Sequence, residues 1–215
     1  MLDKEVQAYL HSFIQQKEAN PLLNKLEKIA QEENIPIMEP IGIETMLTIL
    51  QIQQPKKILE IGTAIGYSAL KMAYALPTTV IISLERDVKR YEQALEHIRE
   101  AGFQERIIVL NGDALNIGSE VKAYGPFDAI FIDAAKGHYK KFFEQYSKYL
   151  TNDGCVYTDN VLFKGLVCKT DLEKKQKKGF IGKIKDYNEW LMHHDDFTTT
   201  IIPAGDGLAV SKKIR

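Results

Sequence analysis

Cysteine is scarce in this sequence, with Cys155 and Cys168 the only two among 215 residues. They lie too far apart for a C-x-x-C pair, and no cluster of cysteine and histidine accompanies them. We therefore expect reduced thiols rather than a structural zinc site or a disulfide framework. Long apolar runs are also missing: no stretch approaches the ~18 residues that a bilayer-spanning helix needs, and the acidic N-terminal segment does not predict a signal peptide. These absences predict a cytoplasmic protein with no membrane association.

An excess of charge of either sign is missing as well. The sequence has 28 lysines and arginines against 29 acids, a formal net charge of -1. The whole molecule therefore has no bulk attraction for polyanions, and any nucleic-acid affinity must come from a local patch. With 45% hydrophobic residues, the chain is long enough for one α/β domain with a core and short for two. Because no repeat or low-complexity linker interrupts it, we predict a single domain over residues 1–215.

The hydrophobic pattern changes at Pro55. Before it, apolar residues recur at helical spacing, which predicts a helical N-terminal extension over residues 1–55. After it, short apolar runs alternate with amphipathic segments, a pattern typical of a mostly parallel sheet covered by helices on both faces. The candidate strands are Lys57–Ile61, Val80–Leu84, Ile107–Leu110, Phe127–Ile132, Cys155–Thr158, Thr199–Ile202 and Leu208–Ser211. Helical patterns between them include Ser68–Ala75, Val88–Ala101 and Tyr139–Leu150.

The last two candidate strands are joined by Pro203–Gly207, which leaves no room for a helix. They should therefore form an antiparallel hairpin. The sequence predicts a doubly wound, Rossmann-like α/β fold with a mostly parallel seven-stranded sheet and an antiparallel last strand.

In open α/β sheets, ligands bind beyond the carboxyl ends of the strands, so the residues at those ends are the candidate site. The first strand leads through Glu60, Gly62 and Gly66 to Ser68. The glycines let backbone approach a ligand, and Ser68 can cap the next helix or bond the ligand. A dinucleotide fingerprint requires glycine where Glu60 stands. An acid there repels a pyrophosphate and suits a cationic amino-acid ligand, directly or through water. An ordinary strand–helix turn is the simpler alternative.

The second and third strands end in residues that suit a nucleoside. Glu85 stands about 20 residues beyond the glycine turn, where a carboxylate can accept both ribose hydroxyls. Asp113 is placed to receive an adenine amino group, with the backbone N–H of Ala114 beside a ring nitrogen. Each acid has an equally simple alternative as a helix cap. Together they predict a nucleoside pocket without identifying the nucleoside.

The fourth and fifth strands end in Asp133 and in Asp159-Asn160. If these strands are adjacent, the three side chains converge as oxygen ligands. Hard oxygen donors suit magnesium or calcium and disfavour zinc. Structural capping of both loops is the alternative.

Several strings in the sequence resemble the cation-dependent O-methyltransferases of the catechol and caffeoyl-CoA type, in order from about Pro36 to Arg215. Within that family the likeness is greatest to the bacterial methyltransferases of tRNA 5-hydroxyuridine. The strings of the family are Leu59–Thr63, Gly66–Ser68, Glu85, Gly112–Ala114, Ile132–Lys136 and Thr158–Asn160, and those of the closer likeness are Pro36–Glu39, Asp159–Val167 and Pro203–Ala209.

The resemblance implies a Rossmann-like methyltransferase fold, a homodimer, and S-adenosylmethionine (SAM) and Mg²⁺ as cofactors. The residues that match the family's SAM contacts are Met38, Ser68, Glu85, Asp113, Ala114 and Asp133. Its metal ligands match Asp133, Asp159 and Asn160. Lys136 matches its catalytic lysine, which either takes the proton of the acceptor hydroxyl or stabilises the oxyanion, with Asp133 as the second catalytic residue. The acidic residue that catechol enzymes place after the metal motif has no match in this sequence, which favours 5-hydroxyuridine at the tRNA wobble position over a catechol.

A lysine-rich stretch follows the candidate metal residues. Its lysines are Lys169, Lys174, Lys175, Lys177, Lys178, Lys183 and Lys185, against only Asp171 and Glu173. Interleaved with Phe163, Lys164, Phe180 and Tyr187, the Lys169–Lys185 region is predicted to bind the anticodon loop of tRNA, with a splayed base stacked on an aromatic ring. A solvated helix face is the alternative.

Three other functions remain open at this point. The first is methylation of small catechol or hydroxycinnamoyl substrates, against which the lysines argue. The second is a nicotinamide-dependent oxidoreductase, which Glu60 disfavours. The third is a non-enzymatic RNA-binding module, which would leave the three oxygen ligands without a purpose.

Overall fold

The computed structural model describes residues 4–16, 20–169 and 179–215. Three helices precede the first strand, as the pattern of the first 55 residues predicts: α1 (Lys4–Gln16), α2 (Pro21–Glu32) and α3 (Pro40–Gln53). The start of α2 is set locally, because the side-chain oxygen of Asn20 accepts the backbone N–H groups of Leu22 and Leu23. Proline at the first helical position costs no hydrogen bond there. No helix in the described ranges is long and apolar enough to cross a membrane.

Seven strands form one sheet in the order β3-β2-β1-β4-β5-β7-β6. Neighbouring strands from β3 to β5 are parallel, and β7 is antiparallel to both β5 and β6. The predicted fold class is therefore confirmed, including the antiparallel last strand. The strands are β1 (Lys57–Ile61), β2 (Val80–Glu85), β3 (Ile107–Asn111), β4 (Phe127–Ile132), β5 (Leu150–Thr158), β6 (Phe197–Ile202) and β7 (Leu208–Lys213).

Helices cover both faces of the sheet. The helices after β1 are α4 (Tyr67–Ala75), α5 (Val88–Glu100), α6 (Gly118–Lys122), α7 (Tyr139–Tyr146) and α8 (Phe180–Met192), with 3-10 turns at Lys136–His138, Ser147–Tyr149 and Phe163–Cys168. Helices α2 to α5 pack with one face of the sheet around residues such as Leu26 and Met46, and α6 to α8 pack with the other around Phe143 and Tyr187. Burying each large apolar side chain contributes roughly 1.5–3 kcal/mol.

The predicted boundaries differ most from the structure in two elements, while one end each of β2, β3, β6 and β7 differs by one or two residues. Strand β5 begins at Leu150 rather than Cys155, because its first residues include Thr151 and the exposed Asn152 and Asp153, which look like a loop in the sequence. The helix predicted over Tyr139–Leu150 ends at Tyr146 and continues only as a 3-10 turn. Of the lysine-rich stretch, Lys174, Lys175, Lys177 and Lys178 lie outside the described residues.

Candidate active site

A cavity of about 280 Å³ opens at the carboxyl ends of the parallel strands. The strand order reverses between β1 and β4, and that switch point is where open α/β sheets bind their ligands. Eight of the predicted site residues stand in the wall of this cavity. They are Met38, Gly62, Ser68, Glu85, Asp113, Ala114, Asp133 and Lys136.

Gly62 lets the ends of β1 and β4 approach each other beneath the cavity. Its backbone has φ of +107°, and a Cβ there would collide with the carbonyl oxygen of Asp133. The backbone N–H of Asp133 in turn donates to the carbonyl of Ile61 at 3.0 Å. A side chain at position 62 would therefore push Asp133 away from the cavity.

Glu60 lies behind the cavity wall rather than in it. It is fully buried, and its carboxylate accepts the hydroxyl of Ser68 at 2.5 Å and that of Ser83. Burial raises the pKa of Glu60 to about 7, with Asp133 and Glu85 adding to the rise and the two hydroxyl hydrogen bonds opposing it. This corrects the prediction of direct ligand contact: any effect of Glu60 on a ligand passes through Ser68.

Gly66 also lies outside the cavity wall. It precedes α4 with φ of +88°, and its Cα side packs against Ala94 of α5, where a Cβ would meet backbone and side-chain atoms at 3.6 Å. Its role is therefore to let the chain turn tightly into α4 beneath α5.

Glu85 and Asp113 are fixed by backbone hydrogen bonds. The Glu85 carboxylate accepts the N–H groups of Ala64 at 2.8 Å and Asp87 at 2.9 Å. Asp113 accepts the N–H of Leu115 at 2.9 Å. Neither acid is a helix cap, because the N-cap residues of α5 and α6 are Asp87 and Ile117. The loop bonds are compatible with ligand binding, because a carboxylate has about four acceptor sites.

Asp133 and Asp159 follow paired positions of adjacent parallel strands. Ile132 of β4 is in register with Thr158 of β5, and the N–H of Asp159 donates to the carbonyl of Ile132 at 3.1 Å. Burial raises the pKa of Asp159 well above its ordinary value, and the neighbouring charge of Asp133 raises it further. The two carboxylates therefore face each other closely enough to repel.

Lys136 and Asn160 complete this group. The Lys136 ammonium donates to the side-chain oxygen of Asn160. Burial raises the pKa of Asp133 as it does that of Asp159, and the charge of Lys136 opposes both rises. Oδ2 of Asp159 is buried and has no hydrogen-bond partner among the described residues. A buried acceptor of this kind is costly unless a cation or a donor satisfies it.

The donor set fits a hard divalent cation such as Mg²⁺, which prefers carboxylate and amide oxygens and keeps several waters. Within the described part of the chain, no cluster of three or more histidines, cysteines or acids is arranged to hold a metal. Asp133, Asp159 and Asn160 supply two carboxylates and one amide, so they do not form a cluster of that kind. Of Asp133, Lys136, Asp159 and Asn160, only Asp133 and Lys136 also line the cavity. They connect the cavity to the place where these oxygens could hold a cation.

Sequence reasoning missed several residues of the cavity wall. These are Tyr67, Arg86, Arg90 and Phe142, together with Pro36, Ile37 and backbone neighbours of the predicted residues; His138, close after Lys136, also lines the wall. Arg86 could have been predicted from its position in the sequence, directly after Glu85. Nδ1 of His138 is buried without a partner among the described residues, which no pattern in the sequence indicates.

Part of the lysine-rich stretch that the structure describes lies close to Lys136, at the carboxyl ends of the parallel strands. Nζ of Lys183 on α8 is 3.6 Å from the position that a Cβ of Gly137 would occupy, beside Lys136. Phe180 is 42% exposed and contacts Phe163, with ring centroids 4.8 Å apart. Of the aromatic residues interleaved with the lysines, Tyr187 cannot stack on a base, because it is 2% exposed and packs on Tyr139 with the buried face of α8.

The strand order with its antiparallel hairpin and the cavity at the switch point define a Rossmann-like methyltransferase. Comparison with known proteins gives the same class. The chain belongs to the O-methyltransferase family, whose model matches residues 14–214. It is a SAM-dependent O-methyltransferase, which excludes the oxidoreductase and the non-enzymatic RNA-binding module.

Relatives of this chain include plant and bacterial enzymes. Caffeoyl-CoA O-methyltransferase 1 of Zea mays is 30% identical over 176 residues, covering 78% of this chain and 67% of that protein. Catechol O-methyltransferase of Niastella koreensis is 39% identical over 123 residues, 55% of each chain.

Two solved structures share the fold over almost the full length. One, from Staphylococcus aureus and provisionally named a caffeoyl-CoA O-methyltransferase, is 32% identical with a TM-score of 0.90, covering 98% of this chain and all of its own. The other is TomG from Streptomyces achromogenes in complex with SAM, 25% identical with a TM-score of 0.83 and full coverage of both chains.

Proposed function

We propose that this enzyme transfers the methyl group of SAM to a ring hydroxyl of a small catechol or hydroxycinnamoyl acceptor, with Mg²⁺ held by Asp133, Asp159 and Asn160. The observation that carries the proposal is the unpartnered, buried Oδ2 of Asp159 beside a second carboxylate at the edge of the cofactor cavity. The names of the maize and Niastella relatives support this class of acceptor.

In this proposal the chain's own residues mainly position the two substrates. Met38, Ser68, Glu85, Asp113 and the backbone of Ala114 hold SAM along the cavity wall. When bound, Mg²⁺ supplies a local positive charge that makes a ring hydroxyl more acidic and fixes its orientation. Aligning the acceptor oxygen with the methyl group contributes on the order of 7–11 kcal/mol through effective molarity.

Lys136 is the proposed catalytic residue, with Asp133 beside it. Its Nζ already lies at the side-chain oxygen of Asn160 and in the cavity wall, so it reaches both the cation position and the space left for an acceptor. As a neutral amine it would take the proton that the hydroxyl releases; as an ammonium it would stabilise the oxygen after that proton has passed to water.

The test combines a variant with a metal-free assay. Asp159→Ala and addition of EDTA to the wild type should each lower turnover of caffeate or caffeoyl-CoA more than a hundredfold, while the affinity for SAM, measured by calorimetry, stays within a few fold. Asp153→Ala is the matched control, because Asp153 lies on β5, the strand that leads to Asp159, but is exposed and forms an ion pair with Lys212 at 3.1 Å. Full turnover in both EDTA and Asp159→Ala would exclude the metal role.

A second candidate acceptor is 5-hydroxyuridine in tRNA, through the described lysines at the catalytic end. Lys183 lies beside Lys136, and Lys164 and Lys169 are exposed after the metal loop. Phosphates bound there would make tRNA binding fall steeply with salt. Side-by-side methylation of caffeate, caffeoyl-CoA and hydroxyuridine-containing tRNA decides between the acceptors. Loss of 5-methoxyuridine from the tRNA of cells lacking the protein would identify tRNA as the natural substrate.

We also propose a homodimer that uses the exposed face of α1. Val6, Tyr9 and Phe13 recur on one side of this helix and are 43%, 64% and 50% exposed. Apolar side chains grouped in this way are typical of a protein interface. Light scattering of the wild type and of Tyr9→Glu tests it, with a monomeric variant as the expected result and an unchanged mass as the contrary one.

A further inference from the structure

Four consecutive backbone N–H groups after Asn160 all donate to two residues of the β6–β7 turn. The N–H of Val161 bonds the carbonyl of Gly207 at 3.0 Å. Those of Leu162 and Phe163 share the carbonyl of Asp206 at 2.9 and 3.2 Å. The N–H of Lys164 donates to Oδ1 of the Asp206 side chain at 3.2 Å.

The segment held in this way is not one that the chain adopts on its own. Asn160, Phe163 and Lys164 have φ of 59°, 42° and 53°, in the left-handed region that residues with a Cβ rarely occupy. Each such residue costs on the order of 1 kcal/mol, so the conformation persists only where its surroundings impose it. Here Asp206 and Gly207 impose it, because together they accept the hydrogen bonds of four consecutive backbone N–H groups.

The turn is itself firmly placed. Asp206 is 8% exposed, and the N–H of Gly207 donates to the carbonyl of Ala204 at 3.0 Å. Gly207 has φ of +92°, and a Cβ there would collide with Leu162. Gly205 packs on the first turn of α3, where its Cβ position is 3.3 Å from Gly42. The turn is therefore wedged between α3 and the loop that carries Asn160.

The Asp206 carboxylate also adds charge near the cation position. Its side chain lies against the loop that carries Asn160, where Oδ1 accepts the N–H of Lys164. Among the described residues, no lysine, arginine or histidine forms an ion pair with it. A third negative charge that does not bind the metal directly still attracts a divalent cation.

We propose that Asp206 is a positioning residue for the cation site, which holds the loop of Asn160 in its binding conformation and strengthens the field that attracts the metal. This inference rests on the proposed metal-dependent function. Residues that orient metal ligands in this way typically contribute 10–100-fold to metal affinity.

The experiment measures Mn²⁺ binding by electron paramagnetic resonance in the wild type, Asp206→Ala and Asp206→Asn. Asp206→Ala should weaken Mn²⁺ binding about 10–100-fold. Asp206→Asn keeps an acceptor for Lys164 but loses the charge, so it should fall between Asp206→Ala and the wild type. Hydrogen exchange of the Lys164 amide, which donates to the Asp206 side chain, should be faster in Asp206→Ala, and the affinity for S-adenosylhomocysteine should stay within about threefold.

Asp128→Ala is the matched control. Asp128 likewise accepts two backbone N–H groups, those of Lys56 at 2.9 Å and Lys57 at 3.0 Å, but at the opposite end of the sheet. This variant should lose stability while binding Mn²⁺ as the wild type does.

The outcomes separate the inference from the proposed function. If the wild type binds no Mn²⁺, or if Asp159→Ala binds it as well as the wild type does, the metal-dependent function is refuted. The role of Asp206 is then refuted with it. If the wild type binds Mn²⁺ and folded Asp206→Ala binds it equally well, only the role of Asp206 is refuted. If Asp206→Ala does not fold, Asp206→Asn is measured in its place. A Mn²⁺ affinity of Asp206→Asn equal to that of the wild type would refute the contribution of the charge.

Discussion

Replacing Glu60 by glutamine should change how the stability of this protein depends on pH. Glu60 is buried, and its two oxygens accept only the neutral hydroxyls of Ser68 and Ser83. Its pKa is raised from 4.5 to about 7, chiefly by burial. The folded state therefore holds this proton more tightly than the unfolded chain does. The resulting stability is fully present below about pH 4.5 and is lost as the pH rises through 7.

The size of the effect follows from the two pKa values. A rise from 4.5 to about 7 corresponds to roughly 3 kcal/mol, at about 1.4 kcal/mol for each tenfold change in proton affinity. About 2.5 kcal/mol of this should disappear between pH 5 and pH 8. Glutamine stays neutral and removes that part of the slope. Its amide can donate to Ser83, whose own hydroxyl can then turn to Thr63, 2.6 Å away.

The assay is urea unfolding of both proteins at pH 5, 6, 7 and 8, with equal m-values required for comparison. The difference in unfolding free energy should move in favour of Glu60→Gln by about 2.5 kcal/mol across this range, or by about 5–10 °C in melting temperature. Ser83→Ala is the second arm: it removes a hydrogen bond that opposes the rise in pKa, so its stability should fall over a higher pH range than in the wild type. A difference between wild type and Glu60→Gln that stays constant from pH 5 to 8 would refute the reasoning.

Three further predictions address the turn, the first helices and the acceptor. Gly62→Ala should lower the free energy of unfolding in urea by more than ~3 kcal/mol and abolish SAM binding, because the new Cβ collides with Asp133. Gly102→Ala is the control: nothing lies within 4 Å of its Cβ position, so it should lose only the ~1–2 kcal/mol that a positive φ costs. Asn20→Ala should cost about 1 kcal/mol, because it removes the cap of α2, and a loss below about 0.3 kcal/mol would contradict that role. Lys183→Gln should raise KM for caffeoyl-CoA several fold but not for neutral catechol, and equal changes for both would argue against its contact with an anionic group.

The fold was predictable from the sequence because its central strands contain short, buried apolar runs. The bounds of β1 and β4 match the prediction to the residue, since each is buried on both faces and ends at a glycine or an acid. The extra residues of β5 were not predictable, because Asn152 and Asp153 are exposed and polar. Hydrophobic patterns detect burial, so strand ends that extend beyond the core escape them.

The candidate site was predictable where residues stand at strand ends. Asp133, Asp159 and Asn160 could be grouped in advance, because neighbouring parallel strands end at the same edge. Glu60 was misplaced, because its proximity to the glycine turn is visible in the sequence but the direction of its side chain, which points at Ser83 of β2, is not. Asp206 lies in a string of the closer likeness, but nothing in the sequence indicated a role at the cation site, because its bonds reach residues more than 40 positions earlier.

The position of β7 has a consequence for the order in which this molecule can be completed. It is the last of the seven strands along the chain, yet it lies inside the sheet, hydrogen-bonded to β5 on one side and to β6 on the other. Until β7 emerges from the ribosome, β5 presents an open edge and β6 has no neighbour to join. A chain shortened before Leu208 would therefore lose two strands rather than one, and the newly exposed edge would favour aggregation over a smaller enzyme.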